Sequence, residues 1–464
     1  MKRIFWITGA AAATLAIVAA QQTDFKGVIS GGVGQLPALA VPDFRGDGQS
    51  QSFIGVFNRT LWSDLDGAGV FRMVPKGQYP LNVPQQLSDF RIAPQADNTR
   101  RGQSPASGGG LWLSDWLAPP ARANYVGIGY AAAQNNVFAL YAWLVDLTIP
   151  NPVNAGALAK TYAESLDEAG ARTAAHKFSC DILERFGSTC MFGSHIYFVR
   201  RTGTLKAPVS EIWSMDPDGN NQKQITHFNA ISEFPAVAPD GGKIAFTSWV
   251  HGNPGIFVFS VDPVRDLRFY NQRGASVTAS PAFTPDGKQV VFVSSVAGCC
   301  GIFIANVDGS NVHAITTSRS NDAEPKVNPK TGAEIAFSSG RSGPEQLYKM
   351  NIDGTDVERL SDGTGEASNP SWHPNGQFLA YAWTRGYMAG AFNIFVMKVA
   401  TREYQQLTHG EGKNENPSWA PDGKHIVFMS DRTGRPQIWS MLADGSQQQQ
   451  LTREGSNLRP VWGK

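Results

Sequence analysis

The feature that most constrains this chain is a repeat running from about Gly193 to the C-terminus. A proline, an apolar residue and a proline-centred turn recur as FPAVAPDGGKIAFTS at Pro235, SPAFTPDGKQVVFVS at Pro281 and EPKVNPKTGAEIAFSS at Pro325. The unit returns as NPSWHPNGQFLAYAW at Pro370 and NPSWAPDGKHIVFMS at Pro417, and a truncated copy, RPVWGK, ends the chain with Pro460. The prolines are 46, 44, 45, 47 and 43 residues apart. A period in the low-to-mid forties with several short strands per unit is the mark of a β-propeller blade.

Each unit reads as four strands. A short apolar strand after the proline leads into a Pro-Asp-Gly turn, in which proline presets φ and glycine accepts positive φ. An alternating second strand follows, such as Val290-Val291-Phe292, then a third such as GIFIANV or QIWSMLA. Asp308-Gly309, Asp353-Gly354 and Asp444-Gly445 then turn into a fourth strand ending in Ile315-Thr316, Leu360-Ser361 or Leu451-Thr452. These Asp-Gly pairs are turn chemistry, because a calcium loop needs more clustered carboxylates. Second strands at Ile196, Ile244, Val290, Ile335, Leu379 and Ile426 make six blades. The first lacks its own proline strand and the C-terminus carries an orphan one, so Leu458–Trp462 is expected to pair into the first blade. Such closure removes exposed sheet edges.

Residues before the repeat have a different texture. The first twenty read as a targeting signal: Lys2 and Arg3, an uncharged apolar run from Ile4 to Val18, and small residues at Val18 and Ala20 that place cleavage before Gln21. The run is shorter than the ~20 residues that span a bilayer. No later segment is apolar enough for a membrane helix, so the expected compartment is the periplasm, without membrane insertion. Beyond the signal, Ala38–Phe44 and Val137–Leu147 read as strands, and Ala157–Ala163 as the second arm of a hairpin. Phe53–Trp62 and Asp167–Phe186 have helical spacing, with Gly187 as the stop. The stretch Arg100–Gly110 reads as a loop. The expected organisation is a signal peptide over 1–20, an α/β N-terminal domain with an exposed tail over 21–192, and an all-β six-bladed β-propeller over 193–464, closed by the C-terminal strand.

Charge is nearly balanced, with 40 basic and 39 acidic residues, which argues against a nucleic-acid binder relying on a large positive field. Cys180 and Cys190 are disulfide candidates for an oxidising compartment. Cys299 and Cys300 are adjacent, closer than the usual disulfide separation of roughly 4.4–6.8 Å. The two pairs lie far apart in sequence and lack the spacing of a zinc site. No G-x-S-x-G elbow, HExxH, P-loop or dinucleotide motif occurs. The eight histidines are scattered; His373, in the turn after an innermost strand, is the one to watch as a channel metal ligand. No cofactor and no catalytic residue is expected. The competing reading is a propeller enzyme, of glycan-lyase or peptidase type, acting on periplasmic substrates.

The proline–aromatic–PDG repeats, the preceding α/β domain with its LVD strand, and the IYFV strand that opens the first blade together resemble the TolB family. The likeness covers essentially the whole mature chain, although PKTG and PNG replace two PDG turns and the second blade has VDPVRDLRF in place of an Asp-Gly hairpin. It implies a non-catalytic periplasmic scaffold of the Tol–Pal envelope system, serving outer-membrane integrity, invagination at division and import of toxins or other macromolecules. The implied partners are a Pal-like peptidoglycan-associated lipoprotein at the propeller face and a TolA-like inner-membrane protein at the N-terminal tail and domain.

Irregular loops on a rigid scaffold are where recognition usually resides. In a propeller, the loops before each first strand and between second and third strands share one face, and these are chemically varied here. The PDG and DG turns share the other. Aligned on the repeat prolines, the expected contact positions are Val277, Ser280, Ala323 and Glu324, with Glu233, Asn369, Asn416 and Arg459 in other blades.

Overall fold

The computed structural model describes residues 36–91, 109–204, 206–261, 264–270, 274–296, 298, 300–317 and 319–464. The signal segment, the Gly-rich tail, most of the Arg100–Gly110 stretch and Cys299 lie outside them. Two compact units are present, one containing Gly32–Phe192 and the other Gly193–Lys464.

In the N-terminal unit, short strands β1 (Ala38–Ala40), β2 (Arg45–Gly46) and β3 (Arg72–Met73) join three long ones, β4 (Tyr125–Gln134), β5 (Val137–Asp146) and β6 (Gly156–Ser165). The sheet runs β3-β1-β4-β5-β6, with β2 also paired to β4. β1 lies parallel to β3 and β4, whereas β4, β5 and β6 form an antiparallel meander. The β4–β5 turn is two asparagines, Asn135 and Asn136, at φ 48° and 62°. Two consecutive left-handed residues suit the twist of a tight hairpin, and asparagine tolerates them best after glycine. β4 was not anticipated, because YVGIGYAAAQ lacks a clean alternation: it is buried on both faces for most of its length. The strand expected over Ala38–Phe44 stops at Ala40.

Helices α1 (Ile54–Gly67), α2 (Leu113–Leu117) and α3 (Glu168–Arg185) complete this unit. Phe57, Leu61 and Leu65 of α1 and Ala171, Ala175, Phe178 and Ile182 of α3 share one buried cluster with Phe138 and Leu140 of β5. α3 starts where Asp167 accepts the Gly170 N–H at 2.7 Å, an N-cap of the usual kind, and ends at Gly187, φ 71°. Cys180 and Cys190 are disulfide-bonded, with Cα atoms 4.9 Å apart.

The second unit is a ring of six four-stranded antiparallel sheets. Blades 2 to 6 each begin on an innermost strand carrying the repeat proline: Ser232–Val237, Thr278–Phe283, Asp322–Val327, Ala367–Trp372 and Asn414–Trp419. Blade 1 takes its innermost strand from the other end of the chain. Ser456–Gly463 pairs antiparallel with His195–Thr204, with Trp462 opposite Ile196, so the C-terminal strand seals the ring. The Trp462 indole N–H also donates to Ser194 Oγ at 3.0 Å.

The Ile-Thr endings of the fourth strands have a specific use. In five blades a hydroxyl accepts a third-strand N–H: Thr226 from Ile212, Thr316 from Ile302, Ser361 from Leu347, Thr408 from Ile394 and Thr452 from Ile438, at 2.8–3.0 Å. An edge N–H that would otherwise be buried without a partner is thus satisfied within its own blade. In blade 2 the fourth strand is Val264–Tyr270, long where the others are short, which matches its lack of an Asp-Gly turn.

Candidate functional site

The six innermost strands surround a central cavity of about 570 Å³. Its geometry begins with one backbone detail. The residue immediately before each repeat proline is left-handed: Phe234, Ser280, Glu324, Asn369, Asn416 and Arg459 have φ between 48° and 55°. At each of these sites the pairing with the second strand slips, as between Ala279 and Ala282 or Ala323 and Lys326. A bulge of this kind re-aims a side chain, and here all six line the cavity. A left-handed L-residue costs about 1–2 kcal/mol, and the following proline disfavours helical backbone as well. The strain recurs six times in one ring, once per blade.

Three of the ring's side chains, Arg459, Glu324 and Asn369, form a polar chain across the channel. The Arg459 guanidinium of blade 1 lies 3.4 Å from Glu233 of blade 2 and 3.6 Å from Glu324 of blade 4, the blade opposite. It also stacks 3.8 Å from the centroid of the Phe234 ring, a favourable place for a planar cation. Glu233 additionally pairs with Arg201 at 3.0 Å. Glu324 accepts both the backbone N–H and the side-chain amide of Asn369, at 2.7–2.9 Å. Asn369 Oδ1 in turn accepts the Asn416 N–H at 3.3 Å. The Ser280 N–H donates to Thr247 Oγ1 at 3.0 Å.

Of the positions expected from the sequence, Ser280, Glu324, Asn369, Asn416 and Arg459 line the cavity, and Glu233 joins them through Arg459. Val277 and Ala323 lie apart from the lining. The Val277 N–H is held by Ser295 Oγ at 2.9 Å, and Ala323 sits opposite Ser338 in its sheet. The blade 2 member of the ring is Phe234, which sequence reasoning passed over for its charged neighbour. Its position directly before Pro235 was the available signal. Lys326 was missed too, because only its burial makes it unusual.

Glu345 sits in the loop between the second and third strands of blade 4. Burial, with the negative charge of Glu324 and then Glu366 adding to it, pushes its carboxyl up to about 7. At the opposite end of the channel the chemistry is local. Asp286 Oδ1 accepts Thr284 Oγ1–H at 2.6 Å and the Lys288 N–H at 3.1 Å, bonds that hold its carboxyl below the usual range. Asn328 plays the matching part in the PKTG turn, accepting the Lys330 N–H at 3.0 Å and donating to the Gly376 carbonyl at 3.1 Å.

His373 belongs to this end and is not a ligand in waiting. Its Nδ1 accepts the Asn375 N–H at 3.0 Å, which leaves Nε2 as the protonated nitrogen, 2.9 Å from the Gly423 carbonyl. The ring also packs edge-on against Trp419, centroids 4.6 Å apart. Both nitrogens are engaged, and burial lowers its pKa, so it stays a neutral turn clamp. Among the described residues no three His, Cys, Asp or Glu side chains gather in a metal-holding group, and no helix is long and apolar enough to cross a membrane.

Fold and site together define a six-bladed propeller, joined to an α/β domain, that offers a polar ring at one end of its channel. The sequence model described as the TolB beta propeller domain (PD40) matches residues 185–389 and 361–464. A protein TolB homolog of Chlorobium luteolum is 34% identical over 315 residues, 66% of this chain and 67% of the relative. The Tol-Pal system protein TolB of Cereibacter sphaeroides is 30% identical over 247 residues, 52% of this chain and about half (49%) of the relative's length. The crystal structure of TolB from Acinetobacter baumannii superposes with a TM-score of 0.74 at 22% identity, covering 93% of this chain and 97% of that one. The chain belongs to the TolB family.

Proposed function

We propose that this chain is a non-catalytic protein-binding scaffold of a Tol–Pal envelope system in the periplasm. The observation that carries the reading is the ring of six strained residues facing the channel at the end where the irregular loops gather. Strain of this kind fits recognition, because the bulge that causes it turns a side chain of each blade toward the channel. Family membership supports the choice of partners in this reading: a Pal-like peptidoglycan-associated lipoprotein on the loop-bearing face, and a TolA-like inner-membrane protein at the N-terminal region. Such a scaffold would serve outer-membrane integrity, invagination at division and import of macromolecules.

The test is capture of an OmpA-like lipoprotein from envelope extracts by the mature chain at low salt. Ser280→Arg and Asn416→Arg, in opposite blades, are expected to weaken capture at least about tenfold through buried interfacial charge. Absence of the lipoprotein from wild-type eluates, or undiminished capture by both variants, would sink the docking site.

A further inference from the structure

One turn deeper than the strained ring lies a second ring, formed by the residue after each repeat proline. Around the channel these are Val461, Ala236, Ala282, Lys326, Ser371 and Ser418, in blades 1 to 6, and all six line the cavity. Their chemistry splits the channel in half. Blades 1 to 3 present only methyl and isopropyl groups, and blades 4 to 6 present an ammonium and two hydroxyls.

Those three polar groups have hydrogens to give. Ser371 Oγ accepts the Trp419 N–H at 3.2 Å, and Ser418 Oγ accepts the Trp462 N–H at 3.0 Å. Each oxygen is therefore fixed as an acceptor from the next blade, and neither O–H has an acceptor among the described residues. Lys326 is partly buried, and its Nζ has no ion pair or hydrogen bond among the described residues; only its carbonyl is used, by the Trp372 indole N–H at 2.9 Å. Its natural counter-charge, Glu324, is already held by Asn369 and faces Arg459. Burial first, and the Arg459 charge after it, lower the Lys326 pKa against the pull of Glu324. A desolvated ammonium with no hydrogen-bonded counter-ion is costly, and it is poised for an anion to relieve it.

We propose that the channel binds a carboxylate bearing a short apolar body, with the carboxylate on Lys326 Nζ, Ser371 Oγ and Ser418 Oγ and the body against Val461, Ala236 and Ala282. A carboxylate accepts several hydrogen bonds at once, and charge-assisted ones are the stronger kind. The apolar half of the ring excludes a fully hydrated inorganic anion as the best fit. The carboxylate comes from a free aliphatic acid or from an acidic side chain of a docked protein segment; the site stands whether or not a partner docks on the outer ring.

Isothermal titration of the mature chain tests it with three probes: valerate, its neutral amide, and the blocked dipeptide N-acetyl-Leu-Glu-amide. Saturable binding of valerate identifies a free acid as sufficient, and binding of the dipeptide alone identifies a protein side chain. Lys326→Met is expected to reduce the affinity at least about tenfold, to keep or raise the melting temperature, and so to separate ligand loss from misfolding. Lys326→Arg should retain binding. The inference is overturned if neither acid binds saturably, if the amide binds as well as valerate, or if Lys326→Met binds like the wild type.

Discussion

The two ends of the propeller are built on opposite principles. At the PDG end one local motif repeats: the same Asx-type arrangement recurs at Asp240, Asp286, Asn328 and Asp422, and Asn328 and His373 also reach the next turns at Gly376 and Gly423. At the other end, Arg459 meets Glu233 and Glu324, residues of other blades that are far away in sequence. Local repeated bonds give each blade its own stability, whereas a unique cross-ring network gives the scaffold a particular face. Under the proposed function, stability and recognition fall to different ends of one channel.

The largest test removes the seal between the ends. Deleting Leu458–Lys464 strips blade 1 of most of its innermost strand and leaves two open edges; the truncated chain is expected to lose cooperative unfolding by circular dichroism and to aggregate. A chain that melted normally would show that closure is dispensable.

Next in size is Asn328→Ala, at the stabilising end. It removes the acceptor for Lys330 and Thr331 and the donor to Gly376, and should cost about 1–3 kcal/mol in urea unfolding while leaving lipoprotein capture intact. A loss of capture would blur the division between the ends.

Glu345→Gln tests the other end through pH. Because the folded-state pKa, about 7, lies above the ordinary carboxylate value, the folded state holds a proton that the unfolded state has released between about pH 4.5 and 7. Stability from this group therefore falls as pH rises through that window. The glutamine variant should be more stable than wild type at pH 8, by about 1 kcal/mol after solvent screening, and equal to it near pH 4. Parallel stability curves across that range would refute the cause.

The smallest expected effect is on stability in Ser280→Arg: a melting temperature within about 0.5 kcal/mol equivalent of wild type, because the side chain faces the cavity and only its backbone N–H is used. A large drop would mean that this ring holds the fold together after all.

Much of this architecture was legible beforehand because it is periodic. Six second strands, proline-centred turns and an orphan final strand state a six-bladed ring closed by its C-terminus, and Trp462 pairing with blade 1 follows from that register. Helices α1 and α3 were readable from their apolar spacing; β4 was not, since burial on both faces erases alternation. His373 read as a channel residue of interest, and only its two hydrogen bonds made it a structural clamp.

The sequence by itself determined the blade count, the seal and the contrast between monotonous turns and varied loops, because these follow from the repeat and its register. Only the tertiary structure decided which residues oppose one another across the channel. Arg459 and Glu324 meet because closing the ring sets blades 1 and 4 face to face, and Phe234 joins them because each bulge turns the residue before the proline inward. The setting of Lys326 is likewise a property of the closed ring: within the second ring it stands between a hydroxyl and hydrocarbon, while Glu324 and Arg459 act on it from the strained ring.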